Sequence, residues 1–227
     1  MHFEVVHPGS NAMIVVKLDQ GESVKAEAGA MVAKSDTVTV EGKMEGGLGK
    51  AVKRFMLGGE RFFFQTLKAE SGPGEVLIAP ATPGDIQLLD MGDGQDYFLQ
   101  GGAFLAAIGD ISIDTKMQKL SQALFSGEGL FVLHCTGKGT VAASAFGAVY
   151  QIVLPAGQDY IVDNGHLVAW SGDTNYAIEK AAKGWLNTIT SGEGLVCRFS
   201  GPGKIWLQTR NPQSFGAWIR SFVPTGA

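Results

Sequence analysis

The chain is poor in the residues that usually carry chemistry. Two cysteines, Cys135 and Cys197, occur in 227 residues, with no CxxC pair. That excludes a disulfide framework and points to reduced thiols in a cytoplasmic setting. The four histidines, His2, His7, His134 and His166, form no HxH or HExxH spacing, so no sequence-local metal or zincin motif exists. Charged residues are 18% of the chain and sum to a net charge of −4, which counts against a nucleic-acid footprint. No stretch approaches the ~20 apolar residues of a membrane span. Met1-His2-Phe3-Glu4 opens no basic, then apolar, leader. Disorder is excluded as well, because hydrophobic residues reach 45% and mean hydropathy is +0.10.

Glycine is abundant instead: 32 residues, roughly double the usual ~7%. No Gly-X-Y period accompanies it, so the expectation is many tight turns between short strands. The glycines also mark a repeat. GESVKAEAGAMVAK (21–34), GQDYFLQGGAFLAA (94–107) and GQDYIVDNGHLVAW (157–170) share glycine at the ninth position (Gly29, Gly102, Gly165) and alanine at the thirteenth (Ala33, Ala106, Ala169). A second block follows each: GGERFFF (58–64), SGEGLFV (126–132) and SGEGLVC (191–197). Each then reaches a glycine pair, in SGPGEV (71–76), TGKGTV (136–141) and SGPGKI (200–205). An apolar run also precedes each first block, at 13–18, 86–91 and 149–154.

These blocks predict an all-β fold of three tandem β-sandwich or roll repeats, 1–80, 81–144 and 145–227, together one compact domain around a pseudo-threefold axis. Asn164-Gly165 reads as a type I′ hairpin pair, with Ala28-Gly29 and Gly101-Gly102 in the same place. The three glycine pairs read as hairpins. Short helices are expected in the connectors. In 46–57, Leu48, Val52, Phe55 and Met56 share one helical face, while Lys50, Lys53 and Arg54 lie largely off it. Asp114 is placed to cap a helix carrying Met117, Leu120 and Leu124. Ala177 to Lys183 is a further two-turn candidate before Gly184.

Catalytic constellations are missing. Gly46-Gly47-Leu48-Gly49-Lys50 lacks the glycine and the Ser/Thr of a phosphate loop, whose places Met44 and Ala51 take. No GxSxG occurs. Cys135 and His134 are neighbours in sequence, so on a strand they point to opposite faces, a core thiol beside an outward histidine. Glu60, Glu128 and Glu193 recur once per repeat. Three carboxylates around an axis would suit a cation, but a glutamate at a strand entry also satisfies backbone N–H groups. Asp96 and Asp159, with Ser23 in the first copy, read as turn caps.

The assembled pattern resembles a known family. Arg54-x-x-x-Gly58-Gly59-Glu60, the aromatic run Phe62-Phe63-Phe64, a glycine pair, Pro80, Pro83-Gly84 and a strand ending Leu89-Asp90 are similar to the bacterial and mitochondrial family named for altered inheritance of mitochondria. So are Gly101-Gly102-Ala103-Phe104-Leu105-Ala106 and Ser126-Gly127-Glu128-Gly129-Leu130-Phe131. The resemblance implies a β-sandwich similar to the tryptophan RNA-binding attenuation protein, homo-oligomers, and, in mitochondrial members, inner-membrane organisation. It brings no catalytic residue.

The expected function is a non-enzymatic homo-oligomeric scaffold, cytoplasmic or peripheral to a membrane. No cofactor and no metal is expected. Its partners are further copies, a protein or a membrane surface, with Leu48, Lys50, Val52, Lys53, Arg54, Phe55 and Met56 as the interaction segment and Gly29, Gly102 and Gly165 as structural glycines. A metal-dependent enzyme or sensor built on the repeated glutamates is one alternative. RNA binding by fold analogy is another, and the net charge disfavours it. Trp206, Phe215, Trp218 and Phe222 near the C-terminus are candidates for a subunit or inter-unit contact.

Overall fold

A computed structural model describes residues 1–43, 64–92, 94–118, 130–180 and 195–223. The protein is all-β apart from one 3₁₀ turn and one C-terminal helix among these residues. The strands are β1 (Phe3–Val6), β2 (Met13–Leu18), β3 (Ser23–Glu27), β4 (Met31–Lys34), β5 (Val38–Lys43), β6 (Phe64–Ala69), β7 (Gly74–Ile78), β8 (Ile86–Met91), β9 (Tyr97–Gln100), β10 (Phe104–Gln118), β11 (Leu130–Ser144), β12 (Val149–Leu154), β13 (Asp159–Asp163), β14 (Leu167–Ser171), β15 (Asn175–Lys180), β16 (Leu195–Ser200) and β17 (Gly203–Gln208). The helix is α1 (Pro212–Arg220).

Alternation explains the short strands. In β2, Ile14, Val16 and Leu18 are buried and Lys17 is exposed; in β3, Val24 and Ala26 are buried between half-buried neighbours. Successive side chains of a strand point to opposite faces, so a period of two commits one face to the core.

The pairings recur along the chain. In the first third β7 lies between β2 and β4, and β6 lies between β3 and β5. In the last third β17 lies between β12 and β14, and β16 lies between β13 and β15. In the middle third two long strands each do the work of two. The C-terminal half of β11 pairs with β8 and with the start of β10, and its N-terminal half pairs with β9 and with the end of β10. Two further pairings join consecutive thirds: β3 to β10 and β9 to β14. Three buried clusters follow. Leu105, Ala106 and Ile108 of β10 complete the first cluster, around Ile14 and Leu67, and Val168, Ala169 and Trp206 complete the second, around Leu99 and Leu133. The third gathers Trp170, Phe199, Cys197 and Ile205.

The glycine pairs are corners rather than hairpins. β6 and β7 do not pair with each other but belong to different sheets, as do β16 and β17. In the middle third the chain does not break at all; β11 runs through Gly137 and Gly139, and β10 runs through Gly109 opposite Gly139. A Cβ at Gly109, Gly137 or Gly139 would collide with the facing backbone of Lys138, Asp110 or Ile108. Glycine there lets two backbones approach closely where the partner of β11 changes from β8 to β9.

Two expected helices are strands instead. Asp114 sits in β10 opposite His134, and Ala177 to Lys180 pair with β16. The physical reason is visible in Ile111-Ser112-Ile113, where buried, exposed, buried alternation outweighs a weaker helical stripe. Leu120, Leu124 and the remainder of the third candidate lie outside the described residues. Gly29 (φ 89°) and Gly102 (φ 83°) occupy left-handed turns. Gly165 departs from them: it lies in the 3₁₀ turn Asn164–His166, capped by the Asp163 carboxylate, and a Cβ would strike the Asn211 side chain.

Candidate interaction surfaces

Both cysteines lie in the core. Cys135 and Cys197 are fully buried, and burial pushes each thiol up to about 12. A thiol kept protonated is a poor nucleophile and a poor ligand. His134 does not point outward as expected. Its Nε2 lies 2.5 Å from an Asp96 carboxylate oxygen, and its ring stacks on Phe98 at 4.4 Å between centroids. Phe98 stacks in turn on Trp170, so the half-exposed pair sits at the end of an aromatic column. The corresponding place on β16 holds Arg198, bound to Glu179 at 3.1 Å and to Asp159 at 3.7 Å. His166 Nδ1 is bonded to the Gln208 carbonyl at 2.8 Å. Among the described residues no group of three His, Cys, Asp or Glu is placed to hold a metal ion. Glu60, Glu128 and Glu193 lie outside those residues.

The surface is more informative. Helix α1 starts at Asn211, whose side chain accepts from the Gln213 and Ser214 amides, with Pro212 at the first helical position. That cap-and-proline signature, Asn211-Pro212, is legible in the sequence. Phe215 rests edge-on against Phe146 at 5.1 Å and stacks on Trp218, which meets Phe222. Most of this row faces solvent: Trp218 is 59% and Phe222 69% exposed. Ile219, Val223 and Arg220 extend the same exposed segment. Trp206, by contrast, is buried and packs edge-on against Tyr97 at 5.6 Å, which makes it a core residue. Of the four C-terminal aromatics, three are therefore available for contact and one is not.

Two sheet edges are also apolar and open. β4 ends the sheet β1-β2-β7-β4, and β13 ends the sheet β13-β16-β15. Val32, Ala33 and Lys34 of β4 are exposed, as are Tyr160 and Ile161 of β13. An edge strand leaves a row of backbone N–H and C=O groups without ladder partners, which is a template for another strand. The segment Leu48, Lys50, Val52, Lys53, Arg54, Phe55 and Met56 lies outside the described residues, so none of these surfaces includes it.

The described residues thus define an all-β protein with two buried cysteines, an exposed aromatic helix and open strand edges. Its family is more specific. The chain belongs to the family described as mitochondrial biogenesis AIM24, whose model matches residues 3–210. It is 36% identical over 234 residues to an uncharacterised protein of Streptococcus pyogenes serotype M6, covering 100% of this chain and 93% of that protein. It is also similar to an X-ray crystal structure of a Streptococcus pyogenes protein, with a TM-score of 0.80 at 33% identity, covering 98% of this chain and 99% of that one. Among the described residues no helix is long and apolar enough to cross a membrane.

Proposed function

We propose that the protein is a non-enzymatic homo-oligomeric scaffold assembled from three tandem β units, with no chemistry of its own. The observation that carries this reading is the pairing scheme: β2-β7-β4 with β3-β6-β5 recurs as β12-β17-β14 with β13-β16-β15, and β8 to β11 follow the same plan. A chain built by repetition exposes the same joining surfaces at its two ends, and open apolar edges favour association. A pseudo-threefold axis would need a third junction, between the last unit and the first. Among the described residues no strand pairing makes that junction. The proposal therefore keeps three units and does not close them within one chain. Light scattering and native mass spectrometry test it: a mass of several chains is expected at micromolar concentration, and a strict monomer overturns it.

A second reading, a peripheral membrane role, is favoured by α1. Its Phe215, Trp218 and Phe222 row beside Arg220 suits the interfacial zone of an anionic bilayer. Sedimentation with anionic vesicles, lost on Trp218→Ser with Phe222→Ser, supports that reading; wild-type protein that stays in the supernatant removes it.

A further inference from the structure

The structure contains two finished copies of one junction and the two separated halves of a third. Each finished junction joins the second strand of one unit to the third strand of the next. Ala26 of β3 faces Ala106 of β10, and Lys25 faces Ala107. Leu99 of β9 faces Ala169 of β14, and Phe98 faces Trp170. In the repeat alignment both junctions place the sixth position of one unit opposite the thirteenth of the next, and the fifth opposite the fourteenth. The register is the same in both.

By that alignment the strand that offers the thirteenth and fourteenth positions in the first unit is β4, through Ala33 and Lys34. The strand that offers the sixth and fifth in the last unit is β13, through Val162 and Ile161. Among the described residues neither has a partner on its outer side. Burial separates the finished halves from the open ones. Leu105 and Val168 are 0% exposed at the junctions, whereas their counterpart Val32 is 58% exposed. Tyr97 is 6% exposed within a junction, whereas its counterpart Tyr160 is 47% exposed.

A bulge ordinarily protects an edge from further pairing. β4 has a register shift between Met31 and Ala33. The same shift stands between Phe104 and Ala106 and between Leu167 and Ala169, in the strands that do accept a neighbour. In this fold the bulge therefore belongs to the joining strand and does not blunt it. Neither edge contains a proline. In the transposed register Lys34 lies diagonal to Asp159, whose carboxylate also holds Arg198, while Asp36 falls opposite Asp159, so charge neither adds to nor decides the pairing.

We infer that β13 of one chain pairs antiparallel with β4 of a second copy, Val162 opposite Ala33 and Ile161 opposite Lys34, repeating the junctions made within the chain. The inference rests on the scaffold reading and specifies its interface. Such a contact is head-to-tail, so every chain keeps one free end until the assembly closes on itself as a ring or grows as a filament.

The test uses full-length protein and oxidative cross-linking. Directly paired residues of an antiparallel ladder have Cα atoms about 4.5–5.5 Å apart, within disulfide reach. Ala33→Cys and Val162→Cys are made on separate chains and mixed, with wild type showing that buried Cys135 and Cys197 add no link. A cross-linked dimer is expected from the mixture and from neither chain alone. Lys34→Cys with Ile161→Cys, both exposed sites, repeats the test should Val162 resist replacement. Ala33→Cys with Asp159→Cys, three residues out of register, should give no link.

Self-linking of Ala33→Cys alone would mean a symmetric contact and overturn the inference. A link within one monomeric chain carrying both cysteines would mean internal closure and also overturn it. Native mass separates the two levels. Oligomers without the link refute this interface while the scaffold reading stands, and a monomer at every concentration refutes both.

Discussion

Raising the pH should unfold this protein through its two cysteines. Cys135 and Cys197 are both fully buried, and their thiols sit near 12 instead of the ordinary 9.0. Desolvation is the main cause at each site, and Asp163 adds to it at Cys197 while Lys25 opposes it at Cys135. In the unfolded chain each thiol ionises around pH 9, whereas in the folded chain it stays protonated. Below pH 9 both states hold the proton and the folded state has its full stability. Between pH 9 and 12 the unfolded state binds fewer protons, so stability falls with pH. One pK unit corresponds to about 1.4 kcal/mol. Well inside that window each cysteine removes roughly 1 kcal/mol per pH unit, and the pair roughly 2–3 kcal/mol per unit. That is a large share of the 5–15 kcal/mol typical of a folded domain. Urea unfolding at pH 8, 9, 10 and 10.5 reads the slope. The Cys135→Ala, Cys197→Ala double variant isolates the thiols from the lysines and tyrosines that titrate in the same range. Its absolute stability is lower because of the lost packing, but its pH slope should be shallower by roughly 2–3 kcal/mol per unit. Equal slopes for the two proteins would refute the reasoning.

Other perturbations probe different levels of the structure. Leu99→Ala, at a fully buried position in the β9–β14 junction, should cost about 2–5 kcal/mol in urea unfolding; a cost under about 1 kcal/mol would mean that the junction is not packed as described. Gly139→Ala places a methyl group against the Ile108 carbonyl where β10 and β11 cross, and should lower the melting temperature more than Gly94→Ala, whose Cβ meets nothing within 4 Å. Asn211→Ala removes the acceptor for two amides of α1. At about 1 kcal/mol, exchange of the Gln213 and Ser214 amides should speed up about fivefold, with global stability nearly unchanged.

The strands were legible as short apolar runs between glycine turns, such as Met13 to Leu18. Which face each run buries, Ile14, Val16 and Leu18 in β2, came only with the pairing. The corners were misread because a glycine pair says that the backbone must turn closely, not where the next strand goes. Gly72 and Gly74 read the same whether β7 returns along β6 or enters another sheet. The Asp114 helix failed because a few apolar residues satisfy two periods at once, and pairing with β11 decided between them. The Asp96–His134 contact was hidden for a different reason: it spans two paired strands far apart in sequence, and nothing local to either residue announces it. The exposure of Tyr160 and Val32 was equally out of reach, since in sequence these residues match buried counterparts.

The sheets and the sequence repeats share a period but are out of phase. A cut after residue 80 or after residue 144 passes through no strand, yet it separates β3 from β10 or β9 from β14. Each fragment would carry away half of a sheet whose other half stays behind. Evolution by duplication ordinarily yields parts that survive alone, like beads. Here the parts are tiles laid in overlapping courses, and losing one undermines its neighbour. A homologue that gained or lost a repeat would have to do so by whole copies in the middle of the course. Limited proteolysis of this protein should accordingly yield nicked complexes that elute as one body, and release of the pieces should coincide with the single unfolding transition of the whole chain.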